Sequence, residues 1–176
     1  MTWGRLDPAQ STALAAIVRG RTVHDLGCGD QTLAEKLVQL GAAAVIAVDC
    51  QPMDWTPVAG VVPVHANFAD YADTEPVIDV AFVAWPDNRV EPALLELIRR
   101  AKTVAYLGKC TDATICGWPG FFRYLLGRAL VAHVPNVANT LCVYGDPIAT
   151  ARAGEWEERA GIDGQTIRPY SERRTG

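Results

Sequence analysis

The chain has 176 residues, 49% of them hydrophobic and 20% charged, enough for one domain that buries about two-thirds of its unfolded surface. Sixteen basic and twenty acidic residues leave a net charge of −4, which points away from a broad nucleic-acid-binding face. No apolar run nears the roughly 20 residues needed to span a bilayer. Asp7 and Pro8 interrupt any secretory layout at the start, so the expected location is the cytoplasm. Cys28, Cys50, Cys110, Cys116 and Cys142 are odd in number and contain no C-x-x-C pair, while His24, His65 and His133 are scattered. Zinc spacing is therefore absent, and buried, reduced thiols are the expectation.

Asp7-Pro8-Ala9-Gln10 reads as a helix start: an acid at the N-cap, proline at the first helical position, and glutamine three after the cap. The helix should run to Arg19 and stop at Gly20. Residues 22–26 form a short apolar strand that ends in Gly27-Cys28-Gly29. Leu33, Leu37 and Leu40 then recur at helical spacing up to Gly41. Residues 44–48 are a second strand closed by Asp49, and residues 61–64 a third. The segment 67–71 suggests a single helical turn. Residues 78–84 make a fourth strand ending in Trp85-Pro86, and Glu91-Pro92 opens a helix whose last turn carries Arg99 and Arg100.

Residues 103–107 are a fifth strand, and 120–126 a short aromatic helix. Segments 129–134 and 140–144 face each other across a link too short for a crossover helix, so they should form an antiparallel hairpin. Strand–helix alternation closing on a hairpin implies an α/β, doubly wound, mostly parallel sheet with one reversed strand. The domain should occupy residues 1–150. Residues 151–176 read as a loosely held tail with one short helix near 154–160.

Ligands of such sheets bind at the carboxyl ends of the strands, where the strand order reverses. His24-Asp25-Leu26-Gly27-Cys28-Gly29-Asp30 lies at that end of the first strand. Its glycines permit a sharp turn and close backbone approach. Asp49, twenty residues beyond Gly29, is spaced to accept hydrogen bonds from ribose hydroxyls. A dinucleotide would set its pyrophosphate on the next helix and favour a third small residue, where Thr32 stands. Asp30 puts negative charge where those phosphates would sit. A sulfonium cofactor has a positive centre and no phosphate, so S-adenosylmethionine suits the loop better. Asp30 also reads as a plain helix N-cap.

Residues 23–30 resemble the glycine-rich first motif of the class I S-adenosylmethionine-dependent methyltransferases. The resemblance extends over about residues 6–145, because that family's seven-stranded sheet also ends in a hairpin. Many members have a third glycine where this chain has Gln31. The resemblance implies that Asp25, Gly27 and Gly29 hold the methionine end and that Asp49 takes the ribose. Asn67 would face the adenine amino group, and Phe68 would pack on the ring. Asn67 alternatively caps the turn it begins, and Phe68 alternatively packs in the core.

Reacting groups should come from the loops after strands four and five. Nucleic-acid amino-methyltransferases carry Asp, Asn or Ser before Pro-Pro and an aromatic residue after strand four. This chain has Ala84-Trp85-Pro86-Asp87-Asn88, so that chemistry does not carry over. Trp85 would wall the cofactor or stack on a flat substrate. Asp87 and Asn88 bind a polar substrate group or form a turn before Pro92. Asp79, at the start of strand four, is at the wrong end for chemistry. The long loop after strand five offers Lys109 and Asp112 as substrate contacts, with Trp118, Phe121 and Phe122 lining a pocket or packing in the core. Cys110 and Cys116 have no evident activating histidine.

Three functions follow as expectations: a methyltransferase acting on a small or modestly sized substrate, a catalytically degenerate scaffold for a partner protein, and, less favoured, an NAD-dependent oxidoreductase. Nucleic acid is not indicated as a partner, and no membrane is.

Overall fold

α1 (Pro8–Val18) begins on a reciprocal cap. The Asp7 carboxylate accepts the Gln10 N–H at 2.7 Å, and the Gln10 side chain accepts the Asp7 N–H at 3.2 Å. Donors that a helix start leaves free are thus satisfied by the sequence itself. The computed structural model describes residues 5–51, 55–74, 78–86, 91–109 and 119–147. After α1 come β1 (Thr22–Leu26), α2 (Thr32–Gln39), β2 (Ala44–Asp49), β3 (Val61–His65), α3 (Phe68–Thr74) and β4 (Ile78–Ala84). Then follow α4 (Glu91–Arg100), β5 (Ala101–Gly108), α5 (Pro119–Leu126), β6 (Arg128–Pro135) and β7 (Thr140–Pro147). The helix expected near 154–160 lies outside the described residues.

The seven strands form one sheet in the order β3-β2-β1-β4-β5-β7-β6. The pairs from β3 to β5 are parallel, while β7 is antiparallel to both β5 and β6. β7 is therefore the one reversed strand, as the short link before it dictates. The chain leaves β1 toward β2 on one side and resumes at β4 on the other. That reversal falls between β1 and β4, at whose carboxyl ends open sheets of this kind bind their ligands.

Both sheet faces are covered. Leu14 and Val18 of α1 and Leu33 and Leu37 of α2 pack with Val23, Val45, Val80 and Phe82. On the other face Tyr71, Leu94, Leu97, Ile98, Phe121 and Leu125 pack with Leu26, Val48, Ile78 and Tyr106. Fully burying one such side chain contributes about 1.5–3 kcal/mol. α1 is also tied to the hairpin. Its buried Gln10 donates to the Val134 carbonyl at 3.2 Å and to Asn139 Oδ1 at 2.8 Å.

Among the described residues Arg128 is the largest fully buried side chain, and it reaches main-chain carbonyls and a phenol rather than an acid. Nε donates to the Gly145 carbonyl at 2.6 Å, and Nη1 to the Ile98 carbonyl at 3.3 Å and the Tyr124 hydroxyl at 2.9 Å. Nη2 donates to the carbonyls of Ala101 and Lys102 at 2.7 and 2.8 Å. The cation thus caps the negative C-terminal end of α4 and ties it to both strands. β5 starts at Ala101 rather than at residue 103 because Ala101 pairs with Ile78, and β6 at Arg128 rather than 129 because Arg128 pairs with Pro147.

α3 also exceeds the single turn expected: Asn67 caps it, and it extends to Thr74. The outer strands of the sheet are irregular. β3 contains Pro63, and β6 shifts register twice, between Arg128 and Leu130 and between Leu130 and Ala132.

Candidate functional site

The glycine loop folds back over the end of β2. The N–H groups of Gly27 and Cys28 both donate to the Val48 carbonyl, at 2.8 and 3.2 Å. Gly27 and Gly29 have φ of +83° and +60°, a region that is costly for side chains carrying a Cβ. A Cβ on Gly27 would lie 3.6 Å from the tip of the Phe68 ring, whereas one on Gly29 would meet nothing within 4 Å. Phe68 therefore lies beside the loop while Gly29 faces open space, and a ligand can approach the main chain there.

Asp49 closes the other side of the loop. Its Oδ2 accepts the Gly29 N–H at 3.0 Å, and its Oδ1 accepts the Gln51 N–H at 2.9 Å. Each oxygen keeps a further lone pair for a hydroxyl. Gln51 went unnoticed in the sequence, although an N–H two residues past an aspartate is the ordinary partner of its side chain. The Ala66 N–H bonds the Asp49 carbonyl at 3.1 Å, which draws the start of α3 to the end of β2. Asp25, Gly27, Gly29, Asp49, Asn67 and Phe68 are thereby brought to one end of the sheet. Asn67 is engaged as a cap: its Oδ1 accepts the Asp70 N–H at 2.9 Å, and its amide donates to the Asp70 carboxylate at 2.7 Å. Phe68 is half-buried and also packs on the α3–α5 core.

Asp30 departs from the expected arrangement. The N-cap of α2 is Gln31, which lies in the left-handed region at φ 64°, and Asp30 accepts the Thr32 N–H at 3.1 Å from one position earlier. The turn through Gln31 swings Asp30 away from the cap position. Gln31 thus holds the conformation that suits the third glycine of the resembled motif, at a cost of about 1–2 kcal/mol for a residue with a Cβ.

Asp25 carries the distinctive electrostatics. It is fully buried, and neither carboxylate oxygen has a hydrogen-bond partner among the described residues. Burial first, then the charges of Asp49 and Asp30, push its carboxyl up to about 8. The same surroundings push the Cys28 thiol up, with burial the largest cause and Asp25 and Asp49 next. A thiol so held is not a nucleophile at neutral pH. Cys28 and Cys142 are buried as expected, but Cys50 is exposed, because it follows the last residue of β2 where the chain leaves the sheet.

Trp85 follows β4 with φ 50°, and its N–H donates to the Leu107 carbonyl at 2.9 Å. Asp25 pairs in register with Phe82, so Trp85 comes level with the glycine loop. Lys109 is exposed at the end of β5, and its carbonyl accepts the Tyr106 hydroxyl at 3.2 Å. Asp87, Asn88, Asp112, Cys110, Cys116 and Trp118 lie outside the described residues. Phe121 is fully buried, and Phe122 packs against the same cluster, so both belong to the core. Asp79 is at the opposite end of the sheet, held by Arg21 at 2.7 Å.

The charges at the loop would act differently on two kinds of ligand. An anionic pyrophosphate at the loop would meet the carboxylates of Asp30 and Asp49, whereas a cationic centre could pair with Asp25, whose carboxyl has no hydrogen-bond partner among the described residues. No family model and no curated protein sequence matches the chain. Solved structures do. A ribosomal protein L11 methylase from Lactobacillus delbrueckii subsp. bulgaricus matches at 19% identity over 82% of this chain and 85% of that one, with a TM-score of 0.56. An rRNA methylase from Streptococcus thermophilus matches at 11% identity over 84% of this chain and 100% of that one, with a TM-score of 0.57.

The chain has the class I methyltransferase fold. A protein of the NADB-Rossmann superfamily from Streptococcus agalactiae is also similar, at 17% identity over 88% of this chain and 75% of that one, with a TM-score of 0.57. The fold alone therefore does not choose between these ligands. Among the described residues no helix is long and apolar enough to cross a membrane.

Proposed function

We propose that this chain is an S-adenosylmethionine-dependent methyltransferase. The observation that carries the reading is Asp25: a buried carboxyl with no hydrogen-bond partner among the described residues, beside the carboxylates of Asp30 and Asp49, gains a counter-charge from a cationic ligand, while an anionic one adds to the negative charge already there. Asp25, Gly27 and Gly29 hold the methionine end, with Asp30 adding negative charge beside the loop. Asp49 takes the ribose hydroxyls. Asn67 and Phe68 attend the adenine, the former through the lone pair its Oδ1 keeps beside the Asp70 N–H, which can accept from the adenine amino group, and Trp85 walls the pocket.

Bound there, the cofactor supplies an electrophilic methyl group on a sulfonium. The residues of the chain then have mainly to position an acceptor in line with it, and such positioning accounts for most of the rate. We assign that task to Lys109, together with Asp87 and Asn88, which follow β4 in the chain, and Asp112, which follows β5. The two methylases named above have RNA and a ribosomal protein in their names. The net charge of −4 favours a small or protein-presented acceptor over a nucleic acid.

Calorimetry with S-adenosylmethionine, S-adenosylhomocysteine and NAD tests the reading. Micromolar binding of the two sulfur compounds, about −8 kcal/mol, is expected. It should be lost in Asp49→Ala and kept in Asp79→Ala, whose site is at the far end of the sheet. Binding of NAD alone would refute it. A second reading, a scaffold that has lost catalysis, is favoured by Ala84 in place of a polar residue before Trp85-Pro86. It predicts that Asp49→Ala keeps its cellular function while losing the cofactor.

A further inference from the structure

Asp25 presents a chemical problem that the free protein has to solve without a ligand. Asp25 is fully buried with no donor among the described residues, and a bare carboxylate so placed is among the costliest groups a protein can hold, so that it neutralises by taking up a proton. The charged groups that act on it are Asp49 at the end of β2 and Asp30 on the loop, both carboxylates that make a second negative charge less favourable still. From the loop it is faced by the Cys28 thiol, which is itself held protonated. From β4 the residue in register is the apolar Phe82. The neighbouring His24 ring is turned to the Tyr71 hydroxyl at 2.8 Å on the α3 side.

We infer that cofactor binding at this loop is a proton exchange, in which Asp25 is a carboxylic acid in the free protein and gives its proton to solvent as the cationic cofactor arrives. The inference rests on the function proposed above and concerns how that same site is controlled. The balance is simple. The Asp25 O–H bond breaks, the proton passes to buffer, and the positive charge of the ligand replaces it, so the pocket stays neutral at that carboxylate before and after. Proton release then sets the affinity of the cofactor, and a fall in pH competes with it directly.

The test is titration calorimetry of the whole chain with S-adenosylmethionine in two buffers of different ionisation enthalpy, from pH 5.5 to 7, below the ordinary α-amine value of about 7.7–8.0, so that the ligand's own amine stays mostly protonated. With Asp25 pushed up to about 8, about one proton should be released per cofactor at pH 7, and affinity should rise about tenfold per pH unit. Asp25→Asn should bind, if more weakly, with no proton released and with an affinity independent of pH. Tight binding by the unaltered protein with no buffer dependence and a flat profile would overturn the inference and leave the proposed function standing. Proton release that persists in Asp25→Asn would overturn it too, because the proton then comes from another group. Failure of both S-adenosylmethionine and S-adenosylhomocysteine to bind at any pH would remove the proposed function and this inference together.

Discussion

Asp25→Asn should make the free protein more stable at neutral pH. The carboxyl is pushed from an ordinary 3.8 up to about 8 by burial and by Asp49 and Asp30. Between those values the folded state holds a proton that the unfolded chain has lost. Stability from this group is therefore fully present below about pH 4 and is lost as pH rises toward 8, at about 1.4 kcal/mol per pH unit. From pH 5 to pH 7 the unaltered protein should lose about 3 kcal/mol relative to a variant that cannot ionise there. Asparagine has nearly the same shape, so packing is little disturbed. Urea unfolding of both proteins at pH 5, 6, 7 and 8 measures the difference, and other titrating groups cancel in the subtraction. Parallel stability profiles would refute the reasoning, because they would mean that the Asp25 charge is already compensated in the free protein.

At Gln31 the left-handed φ of 64° penalises any Cβ and a branched one most, so Gln31→Val should be less stable than Gln31→Gly by at least about 1 kcal/mol in thermal unfolding. Arg128→Met takes the buried guanidinium from the carbonyls of Ala101, Lys102 and Gly145 and should cost about 4 kcal/mol, read from the urea midpoint. Alkylation mapped by mass spectrometry should modify exposed Cys50 at least about 100-fold faster than Cys28, whose thiolate is suppressed by burial and by its carboxylate neighbours. Comparable rates would show that the glycine loop opens freely.

What the sequence revealed and what it hid divide along a physical line. The Asp7–Gln10 cap, the glycines at positive φ, the Gly29–Asp49 spacing and the hairpin after α5 each rest on chemistry within a few residues or on a fixed interval. All four stand in the structure. The isolation of Asp25 was not legible, since it depends on which groups fail to reach it. The Arg128 cage spans 30 residues to Ile98, and nothing local marks an arginine that will be buried. Asp30 misled because a cap is read from a residue's type, whereas the left-handed turn at Gln31 moved the cap one place on. Asn67 and Phe68 remained two-sided even in sequence, and in the structure each does the local job of capping or packing beside the loop.

The irregular outer strands have a consequence for the protein in a crowded solution. An open sheet ends in two rows of unpaired main-chain groups, a template on which further chains can assemble into fibres. Exposed Val62, Leu130 and Val131, at 52%, 42% and 57%, would reward such growth. On β3, Pro63 has no N–H to offer an incoming strand. On β6, two shifts of register bend the backbone so that a straight strand cannot follow it. Replacing Pro63 or straightening β6 would accordingly leave the fold intact and make the protein prone to polymerise through its own sheet.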